Sequence, residues 1–154
     1  MTILRNAALA LVLAGATATA HAGVKLSAVR TNFFSGYGHL GTFVPLNDAG
    51  ATTLTFNLAS SGKKVLTYSV VCHVSWPAYY VDLDIIVNGV AVPPTANVAQ
   101  FCSPPGNDLP MFAQHSVTLA IQGIKGTNTV RILAKGADPT ASYSLNASSL
   151  VVHD

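Results

Sequence analysis

Hydrophobic and polar residues alternate along much of the chain, and the clearest alternation runs from Leu66 to Trp76. Successive side chains of a strand point to opposite faces of a sheet, so a period of two predicts a strand with one buried face. A second alternating run extends from Tyr79 to Val87 and is followed by Asn88-Gly89. Both central residues of a type I′ turn need a positive φ, which Asn-Gly tolerates. We therefore expect a β-hairpin at this dipeptide.

Weaker alternation predicts further strands on both sides of this pair, over residues 24–33, 52–58, 112–122, 127–135 and 143–152. A bulge is expected near Ser148-Ser149 in the last of them. The segment from Pro93 to Pro110 predicts a loop, because proline cannot donate a hydrogen bond to a strand ladder. No window has a clean helical period. The sequence thus predicts an all-β protein, a single antiparallel β-sandwich of about eight strands, similar to a jelly roll.

The first 22 residues have the pattern of a secretory signal peptide. Arg5 supplies a positive charge, residues 7–14 are an uncharged apolar run, and Ala20-His21-Ala22 is a cleavage motif of small residues. The apolar run is too short to be a membrane span, which needs about 20 residues. We therefore expect a signal peptide over 1–22, a β-sandwich domain over 23–154, and a secreted or periplasmic protein.

Composition narrows the possible partners. Half of the 154 residues are hydrophobic, only 9% are charged, and glutamate is absent. The formal net charge of +2 falls to about +1 without Arg5. Such a chain offers phosphates no basic surface, so we expect no nucleic-acid partner. The low charge also argues against a disordered chain or a coiled coil.

Cys72 and Cys102 are the two cysteines. An even number of cysteines in an exported chain favours a disulfide. Zinc would need two further ligands, and no C-x-x-C motif is present. A blue-copper site would need two histidines and a weak axial ligand such as Met111. A cut after Ala20 would leave His21 as an N-terminal copper chelator, but no other histidine has ligand spacing. We therefore expect the Cys72–Cys102 disulfide and no metal or cofactor.

Trp76, Tyr79 and Tyr80 form an aromatic cluster at a junction between two predicted strands. Flat rings with polar edges suit the apolar faces of sugars, or a protein partner. In the alternative interpretation Trp76 and Tyr79 belong to the core, because they continue apolar rows. The three residues are the ligand-binding candidates.

Paired carboxylates could serve glycoside hydrolysis or bind calcium, and Asp82 and Asp84 share one face of a strand. We interpret them as a solvent-facing polar row, because nothing in the sequence predicts their burial. His73 and His115 fall on separate strands, and no nucleophile elbow or phosphate-binding loop is present. No catalytic residue is predicted, and we expect no enzyme.

Two segments of the sequence resemble those of known families. Residues 82–92 resemble the strand–Asn-Gly–strand hairpin of small exported β-sandwich domains. Residues 126–132, Gly-Thr-Asn-Thr-Val-Arg-Ile, are similar to a strand of galactose-binding-like carbohydrate modules. With Cys72 and Phe101-Cys102, the chain also resembles a group of uncharacterised exported bacterial β-sandwich proteins. The resemblance implies a jelly-roll fold, and its motifs are a turn and a strand ladder.

These observations favour an exported, non-enzymatic binding module for a carbohydrate or a cell-surface polymer. The alternative is a structural or assembly protein that forms homo-oligomers through an apolar sheet face holding Val71 and Ile86. Leu133 adds a further apolar residue opposite a core row. A small secreted enzyme or a copper-binding protein is the least favoured hypothesis.

Overall fold

The computed structural model describes residues 23–75, 80–92, 101–103 and 112–154. Within these ranges the chain forms ten strands. Their bounds are β1 (Val24–Arg30), β2 (Phe34–Tyr37), β3 (Thr42–Phe43), β4 (Leu54–Leu58), β5 (Gly62–Val74), β6 (Val81–Val87), β7 (Val90–Ala91), β8 (Ala113–Gly123), β9 (Gly126–Gly136) and β10 (Ser142–His153). No helix in the described ranges is long and apolar enough to cross a bilayer.

The strands form two five-stranded sheets in which the pairings are antiparallel. In sheet A, β10 pairs along one side with β5, which in turn pairs with β8. The other side of β10 is shared by β1 and β2. In sheet B, β9 pairs with β6 on one side and with β3 and β4 on the other, and β7 closes a hairpin onto β6. The all-β sandwich expected from the sequence is confirmed.

The core lies between the sheets and follows the predicted alternation. Residues at every second position of β5 are buried, from Leu66 to Val74, and their neighbours are half-buried. The same period of two buries Val81 to Val87 in β6 and continues through β9 and β10. Each of these strands thus turns one apolar row inward, as a sandwich requires.

Two local predictions are confirmed. Asn88 and Gly89 have φ angles of 52° and 81°, as a type I′ hairpin turn needs. The pairing of β10 with β5 shifts register between Leu145 and Ser148, next to the predicted bulge.

The strand count exceeds the expected eight, because β2, β3 and β7 are only two to four residues long. An alternating pattern cannot be recognised over so few positions. The expected first strand also ends earlier, at Arg30. Of the predicted loop between Pro93 and Pro110, only 101–103 is described, and Cys102 there forms an isolated bridge with Val81. The signal peptide predicted over 1–22 lies outside the described residues.

Candidate ligand-binding end of the sandwich

A shallow, open depression of about 250 Å³ lies at one end of the sandwich. It is lined by Tyr37, Gly38, His39, Leu40 and Pro139. Tyr37 is 66% exposed and Leu40 is 87% exposed. An aromatic ring and an isobutyl group left in water beside a concave surface offer apolar contact to a ligand.

The backbone around the depression is held by hydrogen bonds from three segments. The amide of Gly38 donates to the carbonyl of Ala141 at 2.8 Å, and the amide of Gly136 donates to the carbonyl of Gly38 at 2.9 Å. Gly38 has a φ of 76°, a conformation that favours glycine. Tyr37 is paired with Ser142 in the ladder between β2 and β10. The exposed tyrosine therefore stands on fixed backbone rather than on a free loop.

Tyr80 belongs to the same end of the molecule. Its carbonyl accepts a 3.1 Å hydrogen bond from the amide of Ala137, next to the segment that holds Gly38. The Tyr80 side chain is half-buried. Trp76 and Tyr79, the other two predicted ligand-binding residues, lie outside the described residues. The amide of Ser75, the last residue described before them, donates to the carbonyl of Ser142 at 3.0 Å.

Tyr37, His39 and Leu40 were not among the residues selected from the sequence. They lie in a glycine-rich stretch, Gly36-Tyr-Gly-His-Leu-Gly41, that has no alternating pattern. An aromatic residue flanked by glycines outside any predicted strand is the signal that could have indicated them.

Asp138 adds a negative charge beside the depression. One carboxylate oxygen accepts hydrogen bonds from the Thr140 hydroxyl and the Thr140 amide, both at 2.7 Å. The hydroxyl bond, then the amide bond, and to a smaller extent the charge of His39, hold the Asp138 pKa below its usual value. The carboxylate is therefore ionised at neutral pH and positioned by its own turn.

The predicted disulfide is present between Cys72 and Cys102, with 6.3 Å between the Cα atoms. Cys72 belongs to β5 of sheet A, and Cys102 bridges to Val81 at the start of β6 in sheet B. The covalent bond therefore links the two sheets. A ring nitrogen of His115 lies close to both sulfurs, within 4.8 Å.

The carboxylates considered for catalysis lie on the outer face of sheet B. Asp84 is ion-paired with Lys135, and its side chain is 17% exposed. Asp82 is the cross-strand partner of Lys135. The predicted polar row thus includes an ion pair across two strands, and Asp84 is more covered than expected.

The proposed assembly face is wrong in one respect, because Val71 and Ile86 do not share a face. Val71 is on the outer side of sheet A, whereas Ile86 is on the outer side of sheet B. Ile86 is paired with Arg131, whose guanidinium carbon lies 3.3 Å from the ring centroid of Phe43. The Arg131 side chain therefore covers part of the apolar surface at Phe43, and Ile86 is half-buried.

The outer face of sheet A carries hydroxyl groups in matched pairs. Thr67 and Thr118 are joined at 3.1 Å between their hydroxyl oxygens, and Ser69 donates to Ser116 at 2.8 Å. These cross-strand pairs satisfy one another, so the surface is polar without being charged at these positions.

Comparison with known proteins gives only distant likenesses. No family model and no curated protein sequence matches the chain. Among solved structures, a family 35 carbohydrate-binding module from an environmental isolate aligns at 15% identity with a TM-score of 0.38, covering 84% of this chain and 87% of the module. The native structure of a family 35 module from Clostridium thermocellum aligns at 11% identity with a TM-score of 0.38, covering 85% of this chain and 98% of the module.

A third structure, a family 35 module from Paenibacillus barcinonensis, aligns at 17% identity and a TM-score of 0.33, covering 79% of this chain and 91% of the module. All three of these structures are of carbohydrate-binding modules. The sandwich architecture itself rests on the strand pairings described above.

Proposed function

We propose that the protein is an exported, non-catalytic carbohydrate-binding domain whose ligand rests at the end of the sandwich beside Tyr37. The observation that carries the proposal is the exposed Tyr37 ring, fixed by strand pairing, next to an open depression. A tyrosine ring offers a flat apolar surface and a hydroxyl at its edge, which match the two kinds of surface on a sugar. His39 adds ring nitrogens at the rim, and Leu40 extends the apolar contact.

Three of the aspartates are poorly suited to act as the acid of a glycosidase. A glycosidase needs a carboxylic acid whose pKa is raised. The pKa values of Asp48, Asp138 and Asp154 are instead lowered by hydrogen bonds that they accept. Asp84 is ion-paired with Lys135. Carboxylates held in their charged form are poor proton donors to a leaving group.

Export is part of the same proposal. It is supported by the leader pattern over 1–22 and by the disulfide, because disulfides persist in secreted and periplasmic proteins. Analysis of the N-terminal residue of the protein recovered from outside the cytoplasm tests it. A chain that retains residues 1–22 there would contradict a cleaved leader.

The binding proposal is tested by screening a panel of soluble polysaccharides and oligosaccharides for those that retain the protein. Calorimetry then measures the affinity for each retained ligand. We expect Tyr37→Ala to weaken binding at least tenfold, which is about 1.4 kcal/mol. Phe33→Ala is the matched control, because Phe33 is also an exposed aromatic, at 58%, but does not line the depression. Both variants should keep the wild-type melting temperature.

Alanine variants of Trp76, Tyr79 and Tyr80 extend the test to the aromatic residues selected from the sequence. Weaker binding with an unchanged melting temperature would place them in the site. A large loss of stability would place them in the core, since truncation of a buried aromatic costs about 3–5 kcal/mol. A Tyr37→Ala variant that binds every retained ligand like the wild type would overturn the location proposed here.

Homo-oligomerisation remains a separate hypothesis. Because Val71 and Ile86 lie on different sheets, there are now two candidate interfaces, one on the outer face of each sheet. Val71→Lys tests the outer face of sheet A, and Ile86→Lys tests that of sheet B. Light scattering at micromolar concentration distinguishes them, because only the variant on the interface would convert an oligomer into a monomer. A monomeric wild type would remove the hypothesis.

A further inference from the structure

Three potential metal ligands meet between the two sheets. The sulfurs of Cys72 and Cys102 and a ring nitrogen of His115 all lie within 4.8 Å of one another. They come from separate segments, namely β5, the bridge to Val81, and β8. Both cysteines are buried, with 1% and 2% exposure. The fold, rather than a local sequence motif, brings the three side chains together.

The strand register explains why His115 faces the sulfurs. His115 is the direct partner of Val70, and Ala113 is the partner of Cys72. Directly paired residues in an antiparallel ladder point to the same face of the sheet. Val70 and Cys72 both point into the core, so His115 does as well. His73, one position beyond Cys72, points to the opposite face.

The imidazole of His115 has an unsatisfied polar atom. Its Nε2 is buried and has no hydrogen-bond partner among the residues that the structure describes, whereas buried polar atoms are nearly always paired. The ring of Phe101 lies 5.8 Å from the His115 ring, between centroids, and Tyr68 lies beyond Phe101 at 6.3 Å. The imidazole thus offers a polar nitrogen among apolar rings, and the same side chain lies beside the two sulfurs.

We propose that reduction of the Cys72–Cys102 disulfide converts this cluster into a binding site for a thiophilic ion, zinc(II) or copper(I), ligated by both cysteines and His115. In the reduction a dithiol gives two electrons to the disulfide and becomes a disulfide itself. The two cysteine sulfurs take up two protons as thiols. Metal binding then expels these protons, because the thiolate is the ligand.

The spacing suits such an ion. Zinc–sulfur bonds of about 2.3 Å in a tetrahedral arrangement place two sulfurs about 3.8 Å apart. Loss of the covalent bond lets the sulfurs separate to this distance. The distances from the His115 nitrogen to the sulfurs are at most 4.8 Å. They need to shorten by about 1 Å, which side-chain rotation can supply. Three protein ligands leave a fourth position for water or another small ligand.

The test uses the full chain, reduced with a phosphine, with the loss of the disulfide checked by a thiol assay. Zinc is titrated in competition with a chromophoric chelator, and cobalt(II) is used to detect sulfur-to-metal charge transfer. We expect one equivalent of zinc to bind the reduced chain, and at least tenfold weaker binding to the oxidised chain. Circular dichroism should show the same β-sheet signal in both forms.

Two histidine variants distinguish a specific metal site at His115 from adventitious metal binding. His115→Gln keeps both thiols and should weaken zinc binding at least tenfold and alter the cobalt spectrum. His73→Gln is the matched control, because His73 Nε2 is also buried and has no partner within the described part of the chain, but it lies on the other face of β5. It should bind zinc like the wild type. The proposal would be overturned if His115→Gln or the oxidised chain bound zinc as tightly as the reduced wild type. It would also be overturned if the reduced chain stayed unfolded when it bound zinc.

Discussion

The guanidinium of Arg30 donates a 3.0 Å hydrogen bond from Nη2 to the carbonyl oxygen of Leu145, on a strand 115 residues away. The same nitrogen lies 3.1 Å from the carbonyl oxygen of Asn146, and Nη1 donates to Asn32. Arg30 is only 1% exposed. The carbonyls of Leu145 and Asn146 stand where β10 shifts register before Ser148. The buried arginine thus supplies the donors that the irregular ladder lacks.

Arg30→Met should lower the free energy of unfolding by about 3 kcal/mol, because two carbonyls at the shift would lose a charged donor. Urea unfolding followed by circular dichroism measures the change. Arg131→Met is the control, since Arg131 lies over the Phe43 ring on an outer face and makes a contact worth about 0.5–1 kcal/mol. Equal losses in the two variants would show that the bonds from Arg30 do not stabilise the bulge.

Asn128 has a similar structural role within the motif over 126–132. Its side-chain oxygen accepts bonds from the Ile124 amide and from Asn88 Nδ2, both at 2.9 Å, and its amide nitrogen donates to the carbonyls of Ile124 and Gly126. The residue is fully buried. Asn128→Leu should cost about 3 kcal/mol of stability, because several polar groups would be left unpaired.

Thermal and urea unfolding compare this variant with Asn57→Ala. Asn57 is exposed and its side chain accepts one bond, from the Thr127 hydroxyl. Its loss should cost less than about 0.5 kcal/mol. If Asn128→Leu were as stable as Asn57→Ala, the hydrogen bonds of Asn128 to Asn88, Ile124 and Gly126 would not be what stabilises this motif.

Asp154 should titrate far below an ordinary carboxylate. Hydrogen bonds from Lys25 and Lys64, at 2.8 and 2.6 Å, and their charges lower its pKa from 3.8 to about 2. A folded-state pKa below the unfolded value means that the stabilisation is present above pH 4 and disappears as pH falls through 2. Both ion pairs are partly exposed, so salt weakens them.

Carbon-detected NMR titration of the aspartate side chains measures this pKa. Lys64→Met should raise the Asp154 midpoint towards 3.8, while Asp138 should not move, because its pKa is lowered chiefly by Thr140. An Asp154 midpoint near 4 in the wild type would contradict the paired geometry.

Local patterns in the sequence predicted much of the fold, but they could not predict contacts between residues that are far apart in the sequence. The alternation in β5 and the Asn88-Gly89 turn depend on neighbouring residues, so both were predictable. The burial of Arg30 depends on carbonyls more than 100 residues away, and no local pattern encodes them. The same holds for Tyr37, whose position requires the pairing of β2 with β10. Among the described residues, Tyr80 is the ligand-binding candidate from the sequence that lies at this end of the sandwich.

A glycine contact next to the proposed ligand site gives the last prediction. Gly36 is the ladder partner of Tyr143, and the Tyr143 ring lies against the glycine backbone. A Cβ at Gly36 would come within 2.1 Å of the ring, which is anchored by a 3.0 Å hydrogen bond from its hydroxyl to the Ala134 carbonyl. An aromatic side chain that covers a glycine on a neighbouring strand is a recurrent way to pin strand register.

Gly36→Ala should therefore lower the free energy of unfolding by about 1–3 kcal/mol, the usual cost of overpacking. Because Tyr37 follows directly, the same variant should also weaken sugar binding if the proposed site is correct. Gly62→Ala is the matched control, since Gly62 is also in a strand but a Cβ there meets no atom of the described residues within 4 Å. Urea unfolding of the three proteins decides the point. A Gly36→Ala protein as stable as Gly62→Ala would show that the Tyr143 ring does not hold β2 in place, and that Tyr37 is less firmly positioned than its backbone contacts indicate.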